Sequence, residues 1–216
     1  MSTAPAPTGE RTRLSRRRIL DAALRYIDEH GLDALSMHKL GAELGVKGMS
    51  LYNHVANKDD VLDGVVELLW FEVEAAAPVE DDWRQAVRSF AHALRDVVRR
   101  HPNAAPLVIS QQVMPAPALR VVEAQTAAAV SHGITETRAH GLLRTLTSYA
   151  LGSAYVEVSL GMGGPGCSPS VNDLLRPGIP EDLAAVAHVF CGQSDPDAQF
   201  ELGLDLMLRG FASSSP

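Results

Sequence analysis

Residues 36–55 read SMHKLGAELGVKGMSLYNHV, and this stretch decides the fold. Ser36 is a good helix N-cap, and Met37, Leu40 and Leu44 recur at i, i+3 and i+7, turning one apolar face inward on a helix of about eight residues. Gly45 ends it, because glycine tolerates the left-handed backbone at a helix C′ position. Only Val46 and Lys47 precede the next helical stretch, expected over 48–55. There Leu51 and Val55 face inward at i and i+4, leaving Lys47, Gly48, Met49, Ser50, Tyr52, Asn53 and His54 outward. This is a tight helix–turn–helix. A helix entering the major groove needs slim leading residues to approach base edges and donors behind them for phosphates. Asn57 then caps a further helix, with Asp59 and Asp60 at its positive dipole end. Lys58, beside that helix start, is a natural phosphate contact. Helical pairs with small turns occur in many folds, so the pattern has to be weighed with the charge around it.

The chain has 216 residues and a formal net charge of −7, but the charge is polarised. Residues 1–58 carry nine Lys/Arg against six Asp/Glu, whereas the remainder carries ten against twenty. All three lysines, Lys39, Lys47 and Lys58, fall in one 20-residue window, and Arg11, Arg13, Arg16, Arg17 and Arg18 cluster before it. A short basic head on an acidic body suits a phosphate-binding module attached to a domain with another task. The plainer alternative is a solvated charged face. A composition of 46% apolar and 21% charged residues excludes collagen-like and fully disordered chains. No apolar run reaches the roughly 20 residues of a membrane helix, and MSTAPAPTGERTR lacks the apolar core of a signal peptide, so a cytoplasmic protein without membrane contact is expected. Cys167 and Cys191 form no CxxC and have no histidine cluster nearby, which indicates neither a metal site nor a disulfide framework.

Helical periods recur at 36–44, 48–55, 58–76, 82–100, 116–132, 135–161, 181–191 and 196–212, after a first helix capped by Ser15 in which Ile19, Leu20, Ala23, Leu24 and Ile27 share a face. No strand pattern appears, so the expected fold is all-α. Three parts are expected: a disordered tail at 1–13, a helix–turn–helix domain at 14–62 and a larger helical domain at 63–216. The prolines between Pro102 and Pro117 read as a break, and 161–180 reads as a long loop. Within that loop GMGGPG, residues 161–166, formally satisfies GxGxxG and raises the remote alternative of a nucleotide-dependent enzyme. That motif needs a preceding strand and a following helix, and both are missing. No catalytic cluster, HExxH or GxSxG occurs, so no catalytic residue and no cofactor is expected.

The segment from Ile19 to Leu69, and above all LSMHKLGAELGVKGMSLYNHVANKDDVLDGV at 35–65, resembles the DNA-binding domain of TetR-family transcriptional regulators. The likeness extends more loosely into a tetracycline-repressor-like C-terminal domain through Trp83, Glu123 with Gln125, Leu151-Gly152 and FELGLDLMLRGF at 200–211. It implies a three-helix DNA-binding domain followed by a larger helical ligand-binding and dimerisation domain. Carried over by position, Ser36 and Tyr52 contact phosphates with Lys58 beside them, and His38, Lys47, Gly48, Met49 and Ser50 face base edges, with His54 on the same outward face. His38 stands where the tetracycline repressors carry arginine, so their operator cannot be borrowed.

The resemblance further implies a homodimer on a double-stranded, palindromic operator, with recognition helices about 34–36 Å apart. The expected interface helices are 135–161, with small Gly141, Ala150, Gly152, Ser153 and Ala154, and 196–212, with the stripe Phe200, Leu204, Leu208 and Phe211. The alternative is that both stripes pack inside one subunit. The implied function is a repressor released by a small-molecule effector. Gln125 matches a drug-contacting glutamine, Phe90 stands in place of a ligand-binding asparagine, and Glu74 in place of a pocket histidine. His92, Gln111, Gln112, Tyr149 and Glu157 are further effector candidates because they interrupt apolar helices. No histidine near Ile109 matches the one that holds magnesium, which points to an apolar or aromatic effector rather than a metal chelate. The competing reading keeps the DNA-binding head and makes the body a protein-interaction module or a ligand-blind dimeriser.

Overall fold

The computed structural model describes residues 13–78, 80–111, 113–159, 175–191 and 195–213. They form ten α-helices and a short 3-10 turn, without a strand among the described residues, and divide into two compact units, the chain passing from one to the other between Val65 and Val66. Most of the expected tail, Gln112, Cys167 and the glycine loop at 161–166 lie outside the described residues.

In the first unit, α1 (Arg16–His30) starts at Ser15, whose hydroxyl accepts the Arg18 N–H, and buries Ile19, Leu20, Ala23, Leu24 and Ile27. After the 3-10 turn Leu32–Ala34 come α2 (Met37–Glu43), α3 (Gly48–Leu51) and α4 (Lys58–Ala76). Leu40, Leu51 and Val55 are buried with the α1 face. Gly45 has φ +68°, the left-handed value expected for a helix stop, and the Val46 N–H returns to Gly41 O at 2.9 Å. The chain therefore doubles back so tightly that backbones touch. A Cβ on Gly41 would lie 2.8 Å from Gly48 N, and one on Gly48 would lie 3.1 Å from Met37 O. The second helix is shorter than the expected 48–55. Regular helix ends at Leu51, and the N–H groups of His54 and Val55 fold back onto Leu51 O at 2.9 and 3.1 Å. Tyr52, Asn53 and His54 are weak helix formers, and Lys58 already opens the next helix.

The second unit contains the rest of α4 with α5 (Trp83–Arg100), α6 (Ala105–Ser110), α7 (Ala116–Ser131), α8 (Glu136–Ser159), α9 (Glu181–Cys191) and α10 (Pro196–Ser213). Helix α5 is its spine, burying Ala86, Val87, Phe90, Ala91, Leu94, Val97 and Val98. Helix α6 replaces the expected break: Pro106 sits in its first turn, where a missing N–H costs nothing. Helix α10 is fastened along α5 by a charged seam. Arg88 pairs with Glu201 (2.6 Å) and Asp205, His92 with Glu201 (2.7 Å), and Arg95 with Asp197 (2.8 Å) and with Glu157 of α8 (2.8 Å). Phe200 fills the middle of this seam, stacked on Tyr149 and covered by the Arg95 guanidinium 4.5 Å from its centroid.

This corrects the expected dimer stripe. Phe200, Leu204 and Leu208 are buried within the chain, as are Ala150 and Ala154. Periodicity identifies the residues that share a face without telling what covers them. The apolar residues that α10 and α8 leave exposed are Leu202, Leu206, Tyr155 and Val156.

The Gly41 contact yields a test. Gly41→Ala forces a methyl against the Gly48 backbone, which cannot rotate aside, and should destabilise the first unit by about 1–3 kcal/mol. A thermal melt followed by circular dichroism reads this as a lowered midpoint; an unchanged midpoint would contradict the close approach.

Candidate nucleic-acid interface and effector site

Helices α2 and α3 and the turns flanking α3 present one exposed face. Lys47, at the N-cap position of α3, His38, Tyr52 and His54 are exposed, and Met49 is 76% exposed although apolar. Ser50 is half-buried, as is Gly48, whose α-carbon is set against the Met37 and His38 backbone. Ser36 accepts the Lys39 N–H at 3.3 Å and so starts α2, while the Lys39 ammonium donates to Ala34 O at 3.0 Å. Lys58 is half-buried at the start of α4.

Asp60 holds this face in place. Its carboxylate takes Arg16 of α1 bidentately at 2.9 and 2.7 Å and the Ala56 N–H at 2.7 Å, while its own N–H donates to Asn57 Oδ1 at 2.8 Å. The Arg16 guanidinium, and after it the Ala56 N–H, hold the Asp60 carboxyl below the usual carboxylate range. A carboxylate so depressed stabilises the fold above its unfolded pKa of about 3.9, and that contribution disappears as pH falls through the lowered value. Arg16 and Arg17, counted by sequence with the basic cluster, thus pair with Asp60 and Asp21. Nothing in the sequence signals a partner 44 residues away.

The effector candidates separate into groups. Phe90 is in the core. His92, Tyr149 and Glu157 meet in the α10 seam: His92 pairs with Glu201, the Tyr149 hydroxyl donates to Gln199 O and Phe200 O at 3.2 and 3.1 Å, and Glu157 accepts from Arg95 and Ser153. Burial raises the Tyr149 pKa. Gln111 caps the C-terminus of α6. Glu74 pairs bidentately with Arg120 at 2.6 and 2.8 Å, tying α7 to α4. Gln125 differs from all of these. It is 1% exposed on the inner face of α7, and neither its amide oxygen nor its amide nitrogen has a partner among the described residues; nor has the hydroxyl of neighbouring Thr126.

A narrow cleft in the same unit, about 10 Å3 in volume, is lined by Leu69, Trp70, Val73, Leu94, Val97, Val98, Val108 and Leu151, all aliphatic or aromatic. Sequence reading missed it, because a search for polar interruptions passes over residues whose periodicity marks them as core. Among the described residues no group of three His, Cys, Asp or Glu could hold a metal, and no helix is long and apolar enough to cross a membrane.

Comparison with known proteins fits this arrangement to a family. Residues 19–65 match the bacterial regulatory proteins of the tetR family, and residues 75–214 match the tetracyclin repressor-like C-terminal domain. The chain belongs to the TetR family. The tetracycline repressor protein class A from transposon 1721 of Escherichia coli is 30% identical to this TetR-family chain over 210 residues, covering 93% of it and 92% of the repressor. The Streptomyces coelicolor TetR family protein ActR, crystallised with actinorhodin, superposes with a TM-score of 0.76 at 28% identity, covering 94% of this chain and 98% of ActR. BioQ bound to its double-stranded DNA operator superposes with a TM-score of 0.63 at 26% identity, covering 93% and 99%. A TetR-family chain is a DNA-binding transcriptional regulator and not an enzyme, which disposes of the nucleotide-dependent alternative.

Proposed function

We propose that this TetR-family regulator is a homodimeric repressor that holds a palindromic operator in the cytoplasm and leaves it when a small, largely apolar effector enters the body. The DNA-binding head is residues 14–62 and the effector-binding, dimerising body is residues 63–216. In the head, His38, Lys47, Met49 and Ser50 approach base edges, Ser36, Tyr52 and Lys58 contact phosphates, and His54 flanks them. Gly48 contributes by letting α3 lie against α2. The exposed Leu202, Leu206, Tyr155 and Val156 supply the apolar surface for a second copy.

The observation that carries the effector reading is Gln125. A buried amide with neither atom paired costs about 1–3 kcal/mol, and a ligand with adjacent donor and acceptor groups removes that cost. The ActR complex with actinorhodin supports ligand binding in a related body; the cleft, apolar throughout but holding only about 10 Å3, supports a mostly hydrocarbon or aromatic effector only if the helices around it part to admit one. His92, Tyr149 and Glu157 serve instead to fasten α10. Release requires that the effector prefer a body conformation unfavourable for DNA. Helix α4 runs unbroken from Lys58 to Ala76 and supplies residues to both units, so it is the covalent route for that preference. A coupling of about 1–3 kcal/mol would weaken operator binding roughly 5–150-fold.

Two tests follow. Tyr52→Ala combined with Lys58→Ala should weaken binding to DNA selected from a random pool and flatten its salt dependence, because fewer counterions are released; an unchanged salt slope in fluorescence anisotropy would refute the phosphate contacts. Gln125→Met, close in volume and without polar atoms, should raise the stability of the ligand-free protein by about 1–3 kcal/mol and abolish effector-induced release. A destabilised Gln125→Met variant would mean that the amide is satisfied within the chain, favouring the ligand-blind body.

A further inference from the structure

Residues 66–216 hold seventeen Asp/Glu against ten arginines and no lysine. Among the described residues, Arg88, Arg95, Arg99, Arg100, Arg120 and Arg209 each have a carboxylate partner. Four others, Arg84, Arg138, Arg144 and Arg176, have none among the described residues, and two of these, Arg84 and Arg138, line the same cavity. It measures about 350 Å3 and is bounded by Trp83, Arg84, the turn His132–Ile134, Arg138 and the Phe211–Ala212 end of α10. No carboxylate side chain of the described residues lines it.

The setting sharpens the anomaly. Arg84 is the second residue of α5 and Arg138 the third of α8, so each cation occupies the first turn, the positive end of its helix dipole, where Asp82 already caps α5 by accepting the Arg84 N–H at 2.9 Å and Glu136 opens α8. Both guanidinium groups are held by rings. The Arg84 Cζ lies 4.6 Å from the Trp83 centroid and the Arg138 Cζ 4.6 Å from that of Phe211, and the two rings meet edge to face at 5.7 Å. Stacking orients a guanidinium by its face and leaves most of its N–H edge able to donate. Arg138 commits one N–H to Phe211 O at 2.8 Å, and Arg84 makes no side-chain hydrogen bond among the described residues. The adjoining groove, about 640 Å3, which Arg84 also lines, shows the ordinary arrangement: Arg88 and Arg209 stand there with Asp82 and Asp205, and Asp205 pairs with both.

We infer that the cavity between the α5 start, the α7–α8 turn and the α10 end is a second ligand site, distinct from the Gln125 region, that takes a small oxyanion, a carboxylate or a phosphate, between Arg84 and Arg138. The shared chemistry is a planar or tetrahedral set of anionic oxygens accepting charge-assisted hydrogen bonds from two preorganised guanidinium edges. A cavity of this size admits a small organic acid or phosphate ester.

The test is isothermal titration of the full chain with sodium benzoate, with inorganic phosphate and with benzyl alcohol, at ionic strength held constant by chloride. Saturable binding of benzoate or phosphate, with none of benzyl alcohol, is expected; the anion that binds more tightly tells whether carboxylates or phosphates are the natural class. Arg84→Gln with Arg138→Gln should weaken that binding at least tenfold, and Arg144→Gln, on an exposed face of α8, should leave it unchanged. Because Arg138 also holds the end of α10, Arg84→Gln alone is the second variant, expected to weaken binding several-fold at an unaltered melting midpoint. Equal binding of benzyl alcohol, binding that survives both variants, or no saturable binding of either anion would overturn the site.

Discussion

A helix of four residues cannot hold itself together. Nucleating one turn fixes several dihedrals for a single hydrogen bond, so α3 exists only because its neighbours impose it. Two contacts do so. Gly41 and Gly48 let the backbones of α2 and α3 approach until neither tolerates a Cβ without displacement, and Asp60 draws α1, the Ala56 N–H and the start of α4 to one carboxylate. Met49, Lys47 and Tyr52 can then stand exposed on a rigid edge. Side chains that are to read DNA, as proposed for these three, must be both uncovered and fixed, and Gly41, Gly48 and Asp60 do the fixing.

The body answers a different constraint. Its charged seam along α5 and α10 buries Arg95 with Glu157, an arrangement that contributes little net stability over an apolar core but is costly to break by removing one partner. The seam therefore fixes the register of α10 more than it strengthens the fold. With one face of α10 so committed, Leu202 and Leu206 are left on the other. Away from the seam, the unpaired Gln125 amide and Thr126 hydroxyl represent unspent interaction capacity, which is what a regulatory body must retain if a ligand is to alter it.

The fold was legible to the extent that it follows from local patterning. Ser15, Ser36 and Gly45 end or begin helices where expected because caps act within a turn of the residues that signal them. Pro106 misled because a proline breaks a helix interior but is tolerated in a first turn, and the distinction depends on where Ala105 begins. The head's exposed residues could be read from the inward spacing of Leu51 and Val55. The sequence places Gly48 with the base-edge candidates, and its close approach to the α2 backbone is not legible beside that, since small size serves equally for approach to DNA and to α2. Contacts distant in sequence left no trace: Arg16 with Asp60, Glu157 with Arg95, and Arg84 with Arg138 around one cavity. Phe200, Leu204 and Leu208 show the same limit, for amphipathic spacing does not distinguish a partner subunit from the chain's own α5.

The account's central claim is that the head recognises a DNA sequence and does not merely attract phosphate. It is tested most directly by a fluorescence-anisotropy titration of the wild-type chain on duplexes that it has itself selected from a random pool, at two salt concentrations and with excess nonspecific competitor. The account predicts tight, competitor-resistant binding of two chains to a palindrome. Weak binding that competitor removes and salt abolishes would contradict it.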